Sequence, residues 1–155
     1  MTLNRRMLML LAAAGSLALM LGAFGFQYIG GLPPCKLCLW QRYPHVVAIV
    51  IGLIALRFSN AALAWLGAAA ALATATVGGY HTGVERGWWE GPTTCSSQPI
   101  GGLSTDQLLD QIMSAPLIRC DEVAWSLMGL SMASWNMIAS LILAAIWIAA
   151  ARRPA

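Results

Sequence analysis

An all-α membrane protein, a four-transmembrane-helix bundle forming one domain over residues 1–155, is the fold the sequence predicts. Three observations lead there. Hydrophobic residues make up 59% of the 155 positions and charged residues only 10%, against about 25% charged in an ordinary soluble domain; mean hydropathy is +0.69. Four long apolar stretches divide the chain. Every acid (Glu85, Glu90, Asp106, Asp110, Asp121 and Glu122) falls in one segment, so nothing before Glu85 is acidic. The net charge of +3 is small and unclustered, which excludes nucleic acid as an expected partner and leaves membrane lipid.

The first stretch, M-L-M-L-L-A-A-A-G-S-L-A-L-M-L-G-A-F-G-F over 7–26, carries no charge. At about 1.5 Å per residue it spans roughly the 30 Å of bilayer hydrocarbon. Arg5 and Arg6 precede it as in a signal peptide, but its core exceeds the usual ~7–15 residues and no clear A-x-A site follows, so an uncleaved helix is expected. The second stretch, Val46 to Leu56, is too short to cross alone. Its helix, over 34–57, must begin inside the preceding P-P-C-K-L-C-L-W-Q-R-Y-P-H, where Pro33-Pro34 suit a first turn. The third, over 61–80, is rich in alanine and glycine, as close helix packing in lipid requires. The fourth, over 132–151, contains Trp135 and Trp147.

Alternating crossings put Arg5, Arg6, Arg57, Arg152 and Arg153 on one acid-free face, which the positive-inside tendency assigns to the cytoplasm. The segments 27–34 and 81–131 then lie outside, on the non-cytoplasmic side of the membrane. The longer loop opens with Trp88-Trp89, a pair suited to the headgroup region. Within it, L-S-T-D-Q-L-L-D-Q-I-M reads as a short helix capped by Ser104 and Gln107 and stopped by Pro116. Its apolar face of Leu108, Leu109, Ile112 and Met113 suits a membrane surface, another protein or the base of the loop itself. The loop is acidic on balance, which complements a basic partner surface.

All four cysteines, Cys35, Cys38, Cys95 and Cys120, fall on the outer side or its edge, the compartment in which disulfides persist. The C-x-x-C spacing makes Cys35–Cys38 the natural short pair and leaves Cys95 with Cys120. A zinc site using all four lacks suitable spacing, so no metal is expected. Haem attachment is excluded because Leu39, not histidine, follows Cys38. Two purely structural bridges remain an alternative: a Cys95–Cys120 bridge would contribute about 3–4 kcal/mol by restricting the unfolded chain. A C-x-x-C ring closes too few residues for that, and its usual value is thiol exchange.

A helix starting at the prolines puts Cys35 and Cys38 in its first turn, where free N–H groups and the helix dipole stabilise a thiolate. At about 100° per residue, Cys35, Cys38, Arg42 and His45 lie within about 80° of one another. Pro44 should kink the helix and free the Trp40 carbonyl. Arg42 either snorkels to the headgroups or is a fixed cation beside the thiols, placed to hold an anion or a polarised oxygen. A lipid-soluble redox carrier supplies that oxygen.

These residues resemble a known family. C-K-L-C-L-W-Q-R, the later Cys95 and Cys120, and G-L-S-M-A-S-W-N before the last helix are similar to the bacterial disulfide bond formation protein B (DsbB) family. Cysteine order separates it from the vitamin K epoxide reductase relatives, whose loop cysteines precede the C-x-x-C. The resemblance implies an inner-membrane thiol:quinone oxidoreductase that reoxidises a periplasmic DsbA-like dithiol oxidase and passes electrons to the membrane quinone pool, ubiquinone or menaquinone. It makes Cys95 the residue that forms the mixed disulfide, with Cys120 its companion, and Cys35–Cys38 the pair that reoxidises them. Cys38 would lie beside the quinone ring, with Arg42 and His81 at the quinone site. His45 has no counterpart in the resemblance and is expected to line the bundle. Gly91, Pro92, Gly101 and Gly102 flank Cys95, and the glycines are expected to let the loop carry it to a partner. Two other readings stay open: a non-enzymatic scaffold braced by two disulfides, and a family branch serving a dedicated oxidase.

Overall fold

The computed structural model describes residues 4–96, 104–114 and 118–153. Helix α1 (Arg5–Tyr28) starts at Asn4, whose side-chain oxygen accepts the Met7 N–H at 2.9 Å. Helices α2 (Lys36–Ala55) and α3 (Ala61–Glu85) follow, the latter capped by Asn60 on the Leu63 N–H at 2.9 Å. These three and α5 (Met132–Arg152) are each long and apolar enough to cross a membrane, which gives the expected all-α bundle.

Between α3 and α5 lie α4 (Thr105–Ser114) and a small hairpin, β1 (Ser126–Leu127) with β2 (Leu130–Ser131). The capping box opens α4: the Ser104 N–H donates to Gln107 Oε1 at 2.9 Å, and Ser104 Oγ accepts the Gln107 N–H at 3.4 Å. Pro116, Gly101 and Gly102 lie outside the described residues. The hairpin turns through Met128 and Gly129, with φ of 52° and 75°, the left-handed pair that a tight two-residue connection requires. Ser131 then caps α5 by accepting the Ser134 N–H at 3.2 Å.

Several helix ends differ from expectation: α1 extends two residues beyond 7–26 at each end, α2 stops at Ala55 rather than 57, and α5 runs one residue past 151. α2 begins at Lys36, not 34, because Cys35 is its cap. α3 continues to Glu85 rather than stopping at 80, so His81 lies on the helix and the outer loop opens at Arg86. The polar side chains of that last turn are not left to solvent: the Thr82 hydroxyl bonds the Gly78 carbonyl at 2.9 Å and the Ser134 hydroxyl at 3.1 Å. Pro44 stands inside α2, which runs on through it.

α3 packs on both α2 and α5, and α1 closes the bundle against the same two helices. Lipid gives no hydrophobic drive between helices, so close fit must supply the attraction. Small residues provide it: Ala12, Ala48, Ala64 and Ala150 are fully buried around Met9 and Trp147. A Cβ added at Gly67 would lie 2.5 Å from the Trp147 ring, so only glycine lets that indole sit flush on α3. Leu11, Leu21, Leu53 and Leu66 face outward, as a lipid-facing surface requires.

The outer segments fold back over the start of α2. Trp89 stacks on Tyr80 with centroids 6.0 Å apart, donates its indole N–H to the Tyr80 carbonyl at 2.9 Å, and occupies the space Gly83 leaves free. Trp88 is exposed. The Lys36 ammonium donates to Thr94 Oγ1 at 3.0 Å, tying the segment before Cys95 to α2. Phe26 and Trp125 meet with centroids 5.0 Å apart.

Candidate redox site

Cys35 is the N-cap of α2, extended at φ −72° and ψ 172°, and its sulfur accepts the Cys38 N–H at 3.2 Å. That spacing turns both side chains to one side, with the sulfurs 2.8 Å apart and Cys35 donating. The Cys35 thiol is pushed well above its ordinary range, first by donating to Cys38 and second by burial. Cys38 is the partner that accepts, at the helix end where free N–H groups favour negative charge.

The second pair lies on the first. Cys95 and Cys120 form a disulfide with a Cα–Cα separation of 5.3 Å. Cys35, Leu37, Val84, Cys95 and Cys120 make one buried cluster against which Cys38 packs. Cys95 is 2% exposed, held in a turn where the Pro92 carbonyl accepts the Cys95 and Ser96 N–H groups, each at 3.0 Å. A side chain at Gly91 would collide with Ser96 and Val84, so this glycine is needed for packing here.

His81 stands between the pairs. Its Nε2 is 3.6 Å from Cys35 Sγ, 3.1 Å from the Cys120 carbonyl oxygen and 3.8 Å from Glu85 Oε1. Its Nδ1 is 3.0 Å from Gln41 Nε2. Gln41 Nε2 also lies 3.2 Å from the Leu37 carbonyl, an acceptor only, so this atom is the amide nitrogen. His81 Nδ1 is therefore the acceptor, and Nε2 carries the proton and donates to Cys120. Gln41 Oε1 accepts from Asn136 Nδ2 at 2.7 Å, and Asn136 Nδ2 reaches Thr74 Oγ1 at 3.2 Å. The Thr74 hydroxyl donates to the Gln41 carbonyl at 3.0 Å. Asn136 Oδ1 then faces His45 Nε2 at 3.0 Å, which must be the protonated nitrogen. Polar groups inside a membrane bundle are costly and here form one connected chain across three helices.

Below the cysteines, a cavity of about 430 Å³ opens between α1, α2 and α5. Cys35, Cys38, Arg42, His45, His81 and Glu85 line it, with apolar side chains from α1, α5 and the outer segments making most of the remainder. Arg42 reaches α1, donating to Gln27 Oε1 at 2.6 Å and to the Ala23 carbonyl at 3.5 Å, with its guanidinium 5.0 Å from the Phe24 ring centroid. Among the described residues no carboxylate pairs with it. Glu85 is anchored instead by a short hydrogen bond from the Ser131 hydroxyl.

A family model described as disulfide bond formation protein DsbB matches residues 5–150. The chain belongs to the DsbB family. The disulfide bond formation protein B of Ralstonia nicotianae is 31% identical over 150 residues, covering 93% of this chain and 92% of that protein. The protein of the same name from Cupriavidus metallidurans is 29% identical over 149 residues, covering 92% and 90%. An uncharacterized protein of Rickettsia prowazekii is 31% identical over 125 residues, covering 78% and 73%. No solved structure matches the chain significantly. Membership in the DsbB family makes it a multi-pass membrane protein of disulfide-bond formation.

Of the residues that sequence reasoning singles out, Cys35, Cys38, Arg42, His45 and His81 share the cavity wall, and Cys95 and Cys120 join them through the sulfur cluster. Gln41, Thr74, Glu85 and Asn136 are additional. Their signal in the sequence was a polar side chain within or at the end of an apolar helix, which demands a partner.

Proposed function

We propose that this DsbB-family chain is a thiol:quinone oxidoreductase of the bacterial inner membrane, with its cysteines on the periplasmic side. It reoxidises a periplasmic DsbA-like dithiol oxidase and delivers the electrons to ubiquinone or menaquinone. One observation carries the reading: two cysteine pairs meet in a single buried cluster, and the C-x-x-C pair faces an apolar cavity holding one uncompensated guanidinium.

The chemistry runs through the two pairs in turn. A thiolate of the reduced partner attacks Cys95, forming a mixed disulfide and releasing Cys120 as thiolate. The partner's second thiol displaces Cys95, leaving the partner oxidised and Cys95 and Cys120 reduced. Because Cys95 is buried against α2, this attack requires its segment to lift, whereas the packed arrangement serves the next exchange. There Cys95 and Cys120 reduce a Cys35–Cys38 disulfide, sulfur to sulfur within the cluster, and are themselves reoxidised. His81 holds the Cys120 carbonyl beside Cys35 during that exchange.

The cavity fits a quinone: its walls are mostly apolar and Arg42 offers donors for an oxygen. When bound, the quinone supplies a sink for two electrons and two protons, so that the two thiols leave as one disulfide. Cys38, the accepting sulfur of its pair, carries the thiolate toward the cavity. Arg42 holds positive charge where an oxygen gains electron density, as an oxyanion clamp does. His81 closes the cavity beside Cys35, both of its nitrogens engaged by the protein.

Anaerobic mixing of the purified chain with a reduced thioredoxin-like partner and a quinone tests this. Quinone absorbance should fall in step with partner oxidation; disulfides that stay oxidised and an unchanged quinone spectrum would leave only the scaffold reading.

A further inference from the structure

We infer that Cys35, Cys38 and His81 form a zinc site when the C-x-x-C pair is reduced, with Cys35 Sγ, Cys38 Sγ and His81 Nε2 as ligands. The inference does not depend on the quinone reading and concerns a different class of ligand. Among the described residues, this is the only group of three or more histidine, cysteine or acidic side chains whose donor atoms converge closely enough to share a metal ion. All three atoms lie within 4.8 Å of one another. Cys35 and Cys38 are free thiols; Cys35 and His81 are buried, and Cys38 is partly exposed. It is not a four-cysteine centre, because Cys95 and Cys120 are joined to each other.

The spacing suits the metal. Zinc takes thiolate sulfur at about 2.3 Å and imidazole nitrogen at about 2.0–2.1 Å, so a tetrahedral centre holds sulfur about 3.5 Å from nitrogen. Cys35 Sγ already lies 3.6 Å from Nε2. Two sulfurs on such a centre stand about 3.8 Å apart, whereas a thiol hydrogen bond draws this pair to 2.8 Å. Zinc displaces the thiol protons to solvent and so removes that bond, and the partly exposed Cys38 side chain can swing outward. The Nε2 proton moves to Nδ1, so the Gln41 amide must turn away. The ring's bonds to Gln41 and to the Cys120 carbonyl are given up, at about tenfold in affinity each. Charge favours the exchange: zinc neutralises two thiolates in a buried place, and Glu85 Oε1 lies 3.8 Å from Nε2. Thiolate with imidazole selects zinc over magnesium or calcium. Water takes the fourth position, as in open centres of two cysteines and one histidine. A disulfide offers no thiolate, so zinc binds only the reduced pair and stabilises that state by mass action.

The test is an anaerobic titration of the full chain in detergent micelles, first with cobalt(II) as a coloured probe and then with zinc. Cys95→Ser with Cys120→Ser keeps the outer pair from competing, and a phosphine reduces Cys35 and Cys38. Cobalt should bind one ion per chain, giving the visible bands of a tetrahedral centre and a thiolate-to-metal charge-transfer band, and zinc should erase both. X-ray absorption of the zinc form should show two sulfurs and one imidazole nitrogen. The same chain oxidised at Cys35–Cys38 should give no signal. His81→Ala should weaken binding at least about tenfold, the least that even an outer partner of a metal ligand contributes. Should the double-serine chain fold poorly, reduced wild type against reduced Cys38→Ser reads the site as a difference spectrum. No tetrahedral signal in the reduced chain, the same signal in the oxidised chain, a His81→Ala variant that binds as tightly, or a null difference spectrum each overturns the site. None of these outcomes bears on the quinone reading, which the quinone absorbance experiment decides.

Discussion

Replacing Arg42 with glutamine removes the cavity's guanidinium while keeping a side chain of similar reach. In the structure Nη1 is spent on Gln27 at 2.6 Å and Nη2 touches the Ala23 carbonyl at 3.5 Å. A guanidinium has five N–H donors, so three remain for a ligand oxygen. Hydrogen bonds to a charged group contribute about 1.5–3 kcal/mol. At about 1.4 kcal/mol per factor of ten, the apparent KM for quinone should rise about 10- to 150-fold. The thiol steps take place at Cys95, Cys120 and Cys35 and use no Arg42 donor, so exchange with the partner should change less than threefold. Two assays separate the effects: steady-state quinone reduction across quinone concentrations, and stoichiometric oxidation of the partner by the disulfide-loaded chain without quinone. Arg42→Lys keeps the charge but not the fork, and should fall between wild type and glutamine. An unchanged quinone dependence would refute the reasoning. So would an equal loss in both assays, which would mean that Arg42 mainly pins α1 to α2.

Further outcomes follow from the same geometry. Cys120→Ser should trap a mixed disulfide between Cys95 and the partner, visible on non-reducing gels, and Cys95→Ser should trap none; equal trapping by Cys95→Ser would reverse the two assignments. In the reduced chain, Cys35 is held protonated by Cys38 and by burial, so at neutral pH iodoacetamide should modify Cys38 first. Cys35 should become reactive only as pH rises beyond the ordinary thiol range, as peptide mass spectrometry would show; equal labelling at neutral pH contradicts the assignment. Gly67→Val drives a side chain into the buried Trp147 ring and should destabilise the chain by about 1–3 kcal/mol, read by thermal unfolding in micelles. Gly22→Ala, where an added Cβ meets nothing within 4 Å, is the neutral control.

The bundle was legible because a bilayer imposes a length: about 20 apolar residues per crossing is a pattern that local sequence carries unaided. The C-x-x-C and Arg42 were legible for a similar reason, since one helix period fixes which residues share a side. What the sequence did not show is whatever depends on contacts distant along the chain. The end of α3 is polar, and its helix persists only because Gly78, Ser131 and Ser134 satisfy Thr82 and Glu85. Counting Glu85 as a loop acid followed from reading its charge without that partner. The β1–β2 hairpin leaves no alternation to detect in two-residue strands, and Met-Gly at its turn is not the usual asparagine–glycine signal.

The hydrogen-bond chain from His81 to His45 shows why the site needed coordinates. Gln41, Thr74 and Asn136 come from α2, α3 and α5, and none has a motif. Each alone is a polar residue that membrane burial should disfavour. Together they leave no choice of tautomer at either histidine: His81 must donate toward Cys120, and His45 must keep a lone pair. The same connections that place a proton donor beside the two sulfur pairs thus run on through α5 to the His45 ring. Breaking the chain at Asn136 would free the His45 ring and the Gln41 oxygen, whereas the Leu37 carbonyl still holds the Gln41 amide against His81, so a substitution at Asn136 should leave thiol exchange nearly unchanged.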